Sequence, residues 1–169
     1  MPLRDLLLPE WDAECASTRR VLDRLPEDRY AWKPHAKSTP ASELAGHLVD
    51  LAGFAELTLT RDALDLAPQG APPFQEMQPR NRAELLARFD AARDATHAAL
   101  AGTDDDGLRQ PWSLLLGGKV FRSWTRYSAL RGFVMNHSVH HRAQLAVYLR
   151  LMDVAVPSIY GPTADEPHT

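Results

Sequence analysis

The sequence predicts an all-α fold, a four-helix bundle. Two observations lead there: four long stretches carry apolar side chains at three- and four-residue spacing, and no stretch shows a comparable strand alternation. The chain has 169 residues, 44% of them hydrophobic, enough for one well-filled core, so residues 1–169 are read as a single domain.

The first helix is expected from about Leu6 to Leu25, where Trp11, Cys15, Thr18, Leu22 and Leu25 share a face. Pro9 fits only its first turn or a kink, and Pro26 ends it. Thr39 and Pro40 read as a cap followed by proline at the first helical position, which opens a second helix reaching about Ala63. Its inward stripe is Leu44, His47, Leu48, Leu51 and Phe54. Leu66 to Pro79 then holds Pro68, Pro72, Pro73 and Pro79 and cannot be helical throughout. A link of about 18 residues at roughly 3.3 Å each spans a bundle, so helices two and three are expected to be parallel neighbours joined by a long crossover, in up-down-down-up order.

The third helix, Asn81 to Ala101, places Leu85, Phe89, Thr96 and Leu100 on one side and stops at Gly102. WSLLLGGKVFRSW, with apolar runs on either side of Gly117-Gly118, reads either as a small hairpin or as a loop over the bundle end. The fourth helix, about Ser123 to Val154, is the longest. VPSIYGPTADEPHT, spaced by Pro157, Pro162 and Pro167, reads as an extended tail.

Charge and composition exclude several function classes. Lys plus Arg number 19 against 22 Asp plus Glu, a formal charge of −3 without a basic block, so nucleic-acid binding is not expected. No apolar run approaches the roughly 20 residues of a membrane span, and MPLRDLLLPEWD interrupts any secretory core with proline and acids. A cytoplasmic protein without membrane attachment is the expectation, and the single cysteine, Cys15, fits a reducing compartment.

Three of the seven histidines fall within HSVHHRAQL, His137 to Leu145. At about 100° per residue with His137 at zero, the stripe of Leu130, Val134, Leu145 and Tyr148 centres at about 20 to 30°. His141, at about 40°, falls inside it, and His140, at about −60°, at its edge. His137 and His141 thus lie one turn apart on one face, a spacing that lets two imidazoles bind one metal ion. His47, between Leu44 and Leu51, is the one other histidine squarely in an apolar stripe and is the candidate third ligand. The alternative is a hydrogen-bonded core histidine and a helix face with polar residues near its exposed end. Three buried neutral imidazoles without a cation would need separate partners for each ring nitrogen.

ELAGHLVDL around His47 and NHSVHHRAQLAVYLR around His137 and His141, with YAWKPHAKS before helix two and VPSIYGPTADE after helix four, follow one another in an order that resembles the DinB/YfiT-like superfamily of metal-binding four-helix bundles. The resemblance covers nearly the whole chain. It implies metal ligation by His47, His137 and His141, the up-down-down-up bundle, and frequently a homodimer. One departure is Ala143, where the superfamily commonly has glycine.

Three neutral imidazoles leave a divalent ion its full charge and an open position, the arrangement of a catalytic site. Zinc or nickel is the first expectation, manganese or iron the second. A water or thiol at that position is acidified, so hydrolase or S-transferase-type chemistry on a small electrophile is expected. Some members of the resembled superfamily use low-molecular-weight thiols as cosubstrates. Ser138 stands where a helical metalloprotease has glutamate, which argues against protease chemistry. Glu43 and Asp50 flank His47 as candidates to orient its ring or handle a proton, with solvated acids as the plainer alternative. Gln144 is a candidate partner of His141. Cys15 is read as a small buried hydrophobe, and His35, His97 and His168 as having no metal role. Trp11, Trp32 and Tyr160 either wall a pocket or pack in the core. The competing class is a noncatalytic metal- or ligand-binding stress-response protein.

Overall fold

The structure is a computed structural model and describes residues 1–167, so His168 lies outside the described residues. It is mostly helical with a small three-stranded sheet. Helix α1 spans Leu3–Asp23. It begins before Leu6 because Asp105 Oδ1 accepts the Leu3 N–H at 2.7 Å, a cap supplied from across the fold. Pro9 therefore falls beyond the first turn, where it withholds one bond of the helical ladder. Leu7, Trp11, Cys15, Thr18 and Leu22 are all buried, as their spacing requires.

Helix α2 spans Ala41–Thr60 and α3 spans Arg82–Ala101, the latter capped by Asn81, whose side chain accepts from the Glu84 N–H. A short helix α4, Asp105–Arg109, follows, with Asp104 accepting from Gly107 N–H at 2.7 Å. The Asp104-Asp105-Asp106 run is thus a helix start, where acids offset the N-terminal dipole.

The all-α expectation needs correction. Strand β1, Ala63–Asp65, pairs parallel with β2, Pro111–Leu116, which pairs antiparallel with β3, Lys119–Thr125. WSLLLGGKVFRSW is therefore the hairpin of the two readings. Gly117 and Gly118 form its turn with φ of 64° and 76°, the left-handed region that two-residue hairpin turns require at both positions. Asp65 accepts the N–H groups of Gly117 (3.0 Å), Gly118 (2.7 Å) and Ala67 (3.0 Å), which ties the turn to β1. Trp112 and Leu114 alternate into a second small core with Ala129, covered by Trp124 and Phe133. Residues expected at the end of helix two and the start of helix four are thereby drawn into strands.

The fourth long helix consequently starts at Arg126 rather than Ser123. It consists of one turn, α5 (Arg126–Ser128), a π-helical segment, Ala129–Asn136, and α6, His137–Leu151. Helix α3 packs against α1 and α2, and α6 packs against the same two. Contacts of α1 with α3 run in opposite order, from Trp11 on Arg93 to Arg19 on Asp90. Contacts of α2 with the fourth helix do likewise, from Thr39 with Tyr148, through Phe54 with Phe133, to Leu59 with Arg126. The tail after Met152 is not merely extended: Glu166 pairs with Arg24 at 2.7 Å and Asp165 with Arg150, which folds it back onto the C-terminal ends of α1 and α6. No helix among the described residues is long and apolar enough to cross a membrane.

Candidate metal centre

His47 projects from α2, and His137 and His141 project from the first two turns of α6. The two helices pack against each other, so one residue of α2 meets an i, i+4 pair of α6. One ring nitrogen from each histidine lies within 4.8 Å of those of the other two. The centroid of the His47 ring is 5.2 Å from that of His137 and 4.7 Å from that of His141, and the latter two are 4.6 Å apart. The three residues selected from the sequence are therefore brought together, each partly buried.

Their protons are informative. Gln144 Oε1, an amide oxygen that can only accept, lies 2.7 Å from His141 Nδ1, so the proton of that ring is on Nδ1. The Nε2 atoms of His137 and His141 face each other at 2.8 Å. That contact is an N–H···N hydrogen bond when His137 carries its proton on Nε2, and a pair of lone pairs open to a cation when it carries it on Nδ1. A zinc ion bonded tetrahedrally to each nitrogen at about 2.0–2.1 Å sets its ligand atoms about 3.3–3.4 Å apart, between the 2.8 Å of the His137–His141 pair and the 4.8 Å that bounds the trio, so the nitrogens close on an ion by changing their separations by about 1.5 Å at most. The donor set fits a divalent metal.

Burial pushes the His47 and His137 pKa values down to about 4, with the neighbouring imidazoles adding to the effect. His141 is lowered for the same first reason, although its bond to Gln144 acts in the opposite direction. The trio is thus neutral at pH 7, with lone pairs available. A cleft of about 160 Å3 reaches the site, lined by Thr39, Glu43, Leu44, His47, Glu76 and His141.

The other candidates separate. Gln144 meets His141, its candidate partner, through the 2.7 Å contact to Nδ1. Asp50 does not reach His47: its Oδ2 accepts the Met77 N–H at 2.8 Å, and burial raises its pKa to about 6. Glu43 lines the cleft without a hydrogen bond to a histidine. Trp11 donates from Nε1 to the Arg93 carbonyl inside the core, and Cys15 is buried beside it, its thiol pushed up to about 12 by burial. Trp32 packs edge-on against Tyr148 at 5.4 Å. Tyr160 walls no pocket at the metal centre: its hydroxyl bonds to Arg142 and Glu14 on another side of the bundle. His140 is exposed and touches the site only by its 4.9 Å packing on His141. His35 lies in a loop and His97 pairs with Asp12 at 2.9 Å.

Two residues escaped the sequence reading. Glu76, in the crossover, has its Oε1 3.7 Å from His47 Nδ1. Its proline-punctuated surroundings have no period from which a facing direction follows. Arg142 is 2% exposed and pairs with Glu14 at 2.7 Å.

Comparison with known proteins agrees with this architecture. A family model described as the DinB family matches residues 1–168. The chain is 25% identical to the uncharacterized protein YrdA of Bacillus subtilis over 162 residues, covering 96% of this chain and 90% of that protein. It is 26% identical to the uncharacterized protein YjoA of the same organism over 136 residues, covering 80% and 81%. The crystal structure of the DinB-like YjoA superposes with a TM-score of 0.68 at 20% identity, covering 91% of this chain and 96% of that one. A DinB-like protein from Bacillus cereus gives a TM-score of 0.70 at 22% identity, covering 94% and 98%.

Proposed function

This chain belongs to the DinB family, and on that premise we propose that it is a metal-dependent enzyme acting on a small electrophile with a low-molecular-weight thiol or water. The observation that carries the reading is the pair of Nε2 atoms of His137 and His141, aimed at each other at 2.8 Å beside His47. We read His47, His137 and His141 as the ligands of a divalent ion, zinc or nickel before manganese or iron. Imidazole suits zinc, nickel and iron, whereas manganese favours oxygen donors, and a neutral three-nitrogen set leaves a coordination position open. When bound, the ion supplies Lewis acidity, which makes a thiol or water nucleophilic near pH 7.

The chain's own residues have definable tasks. Gln144 holds the His141 proton at Nδ1, so that ring keeps a lone pair toward the centre. The small cleft admits a compact substrate, and the carboxylates of Glu43 and Glu76 on its wall are the acids within reach of a proton released there. The opposed directions of α1 with α3 and of α2 with the fourth helix support the up-down-down-up bundle as its framework.

Metal content of the purified protein with and without His137→Ala tests the premise. The expected result is about one equivalent of ion in the wild type and little in the variant, and a wild type that takes up none of zinc, nickel, manganese or iron refutes it. A screen of thiols against reactive electrophiles then tests the activity. Saturable turnover lost in His47→Ala supports the enzyme; tight binding without turnover supports a noncatalytic stress-response protein instead.

A further inference from the structure

Beyond the three histidines, the centre has an orphan atom. His47 Nδ1 is buried and has no hydrogen-bond partner. A buried ring N–H or lone pair left that way has given up its water without a replacement, so such atoms call for an explanation. The carboxylate nearest to it is Glu76 Oε1, at 3.7 Å, about 0.7 Å beyond an ordinary N–H to carboxylate bond.

Glu76 is exposed, and nothing about its own side chain would hold it there. Its backbone is held instead. The next residue, Met77, is gripped by α2 at both of its peptide groups. Asp50 Oδ2 accepts the Met77 N–H at 2.8 Å. The Met77 carbonyl lies against Gly46 so closely that a Cβ there would stand 1.8 Å from the oxygen and 2.9 Å from the carbon. Only glycine admits that approach, because the obstructing atoms are backbone and cannot rotate away. Gly46 precedes His47, and Asp50 follows it by three residues, so the grip brackets the histidine. The crossover is thereby docked on α2 with Glu76 over the His47 ring.

We propose that Glu76 is a positioning residue for the metal centre: its carboxylate accepts the His47 Nδ1–H and aims His47 Nε2 at the ion, with Gly46 and Asp50 docking the crossover so that it can. The inference rests on the three-histidine reading above. A histidine ligand whose distal N–H is held by a carboxylate is fixed in tautomer and orientation and becomes a stronger donor. Gln144 performs this task for the His141 ring, and Glu76 does so for His47. The long crossover then has a function beyond connecting two helices: it carries to His47 a carboxylate on a side that Glu43 and Asp50 of α2 do not reach.

The test is zinc affinity, measured by competition with a chromophoric chelator, together with histidine-selective 15N–1H NMR of the zinc-loaded protein. Glu76→Ala and Glu76→Gln are expected to weaken zinc binding by about 10- to 100-fold, with Glu76→Asp between them and wild type. Gly46→Ala, which touches no ligand, is expected to weaken it similarly, and Gly46→Ala combined with Glu76→Ala to be no worse than Glu76→Ala alone. The wild-type spectrum should show a slowly exchanging His47 Nδ1–H that Glu76→Ala abolishes. Affinity within twofold of wild type in Glu76→Ala, or losses that multiply in the double variant, overturns the proposal. So does a far larger loss with the His47 Nδ1–H unchanged, which marks Glu76 as a direct ligand. A wild type that binds no zinc overturns this inference together with the metal reading, whereas tight wild-type binding that Glu76→Ala leaves intact overturns this inference alone.

Discussion

A histidine buried without a charge to stabilise it titrates late, and two such residues here produce a definite pH dependence. The unfolded value near 6.5 falls to about 4 for His47 and His137 on folding. Between those values the unfolded chain binds more protons than the folded one, so stability rises with pH across the window and is lost as pH falls through it. Asp50 opposes this, since its pKa rises from 3.8 to about 6, where the folded state holds the extra proton. Comparing metal-free wild type with a His47→Gln, His137→Gln variant cancels the Asp50 contribution. The wild-type urea midpoint should drop more than that of the variant between pH 7 and pH 4.5; equal drops would refute the assignment. At this scale the grouping of His47, His137 and His141 was legible, because an i, i+4 pair and a histidine within a leucine stripe announce themselves by local spacing. Glu76 was not, because its role depends on where a proline-rich segment docks.

At the scale of elements, the fourth helix shows where a periodic reading drifts. A uniform rotation of about 100° per residue placed the centre of the apolar stripe close to His137 and His141. The π-helical segment Ala129–Asn136 turns differently, since its bonds close over five residues rather than four. The buried residues of α6 are consequently Arg142, Leu145 and Leu149, and the two histidines flank them, each partly buried, with His141 lining the cleft. That offset leaves the site accessible. It also turns Arg142 inward, where the Glu14 carboxylate, the Thr18 hydroxyl and the Tyr160 hydroxyl receive its guanidinium. Removing one partner of a buried pair leaves the rest uncompensated, so Arg142→Ala is expected to destabilise the fold by about 3 kcal/mol in urea denaturation. A loss below about 1 kcal/mol, the usual worth of a surface pair, would show that the network carries little of the stability. The hairpin marks the opposite case, where the apolar runs around Gly117-Gly118 were visible but their partner β1 was not, since three residues are too few to display alternation.

For the molecule as a whole, the centre joins α2 to the fourth helix, so an ion bound there should stabilise the entire fold. A ligand at about 100 times its Kd contributes about 2.7 kcal/mol, which for a chain of this size raises Tm by roughly 5–10 °C. Differential scanning calorimetry with zinc, and then with excess chelator, should show that rise and its reversal in the wild type and neither in His137→Ala. By itself the sequence determined the four long helices and the three histidines that share a centre, because both are written in spacings of three and four residues along one segment. Tertiary structure alone decided the small sheet, the burial of Arg142 and the placing of Glu76 over His47. Each of these depends on two segments far apart in the chain meeting in space, and local periodicity holds no record of such a meeting.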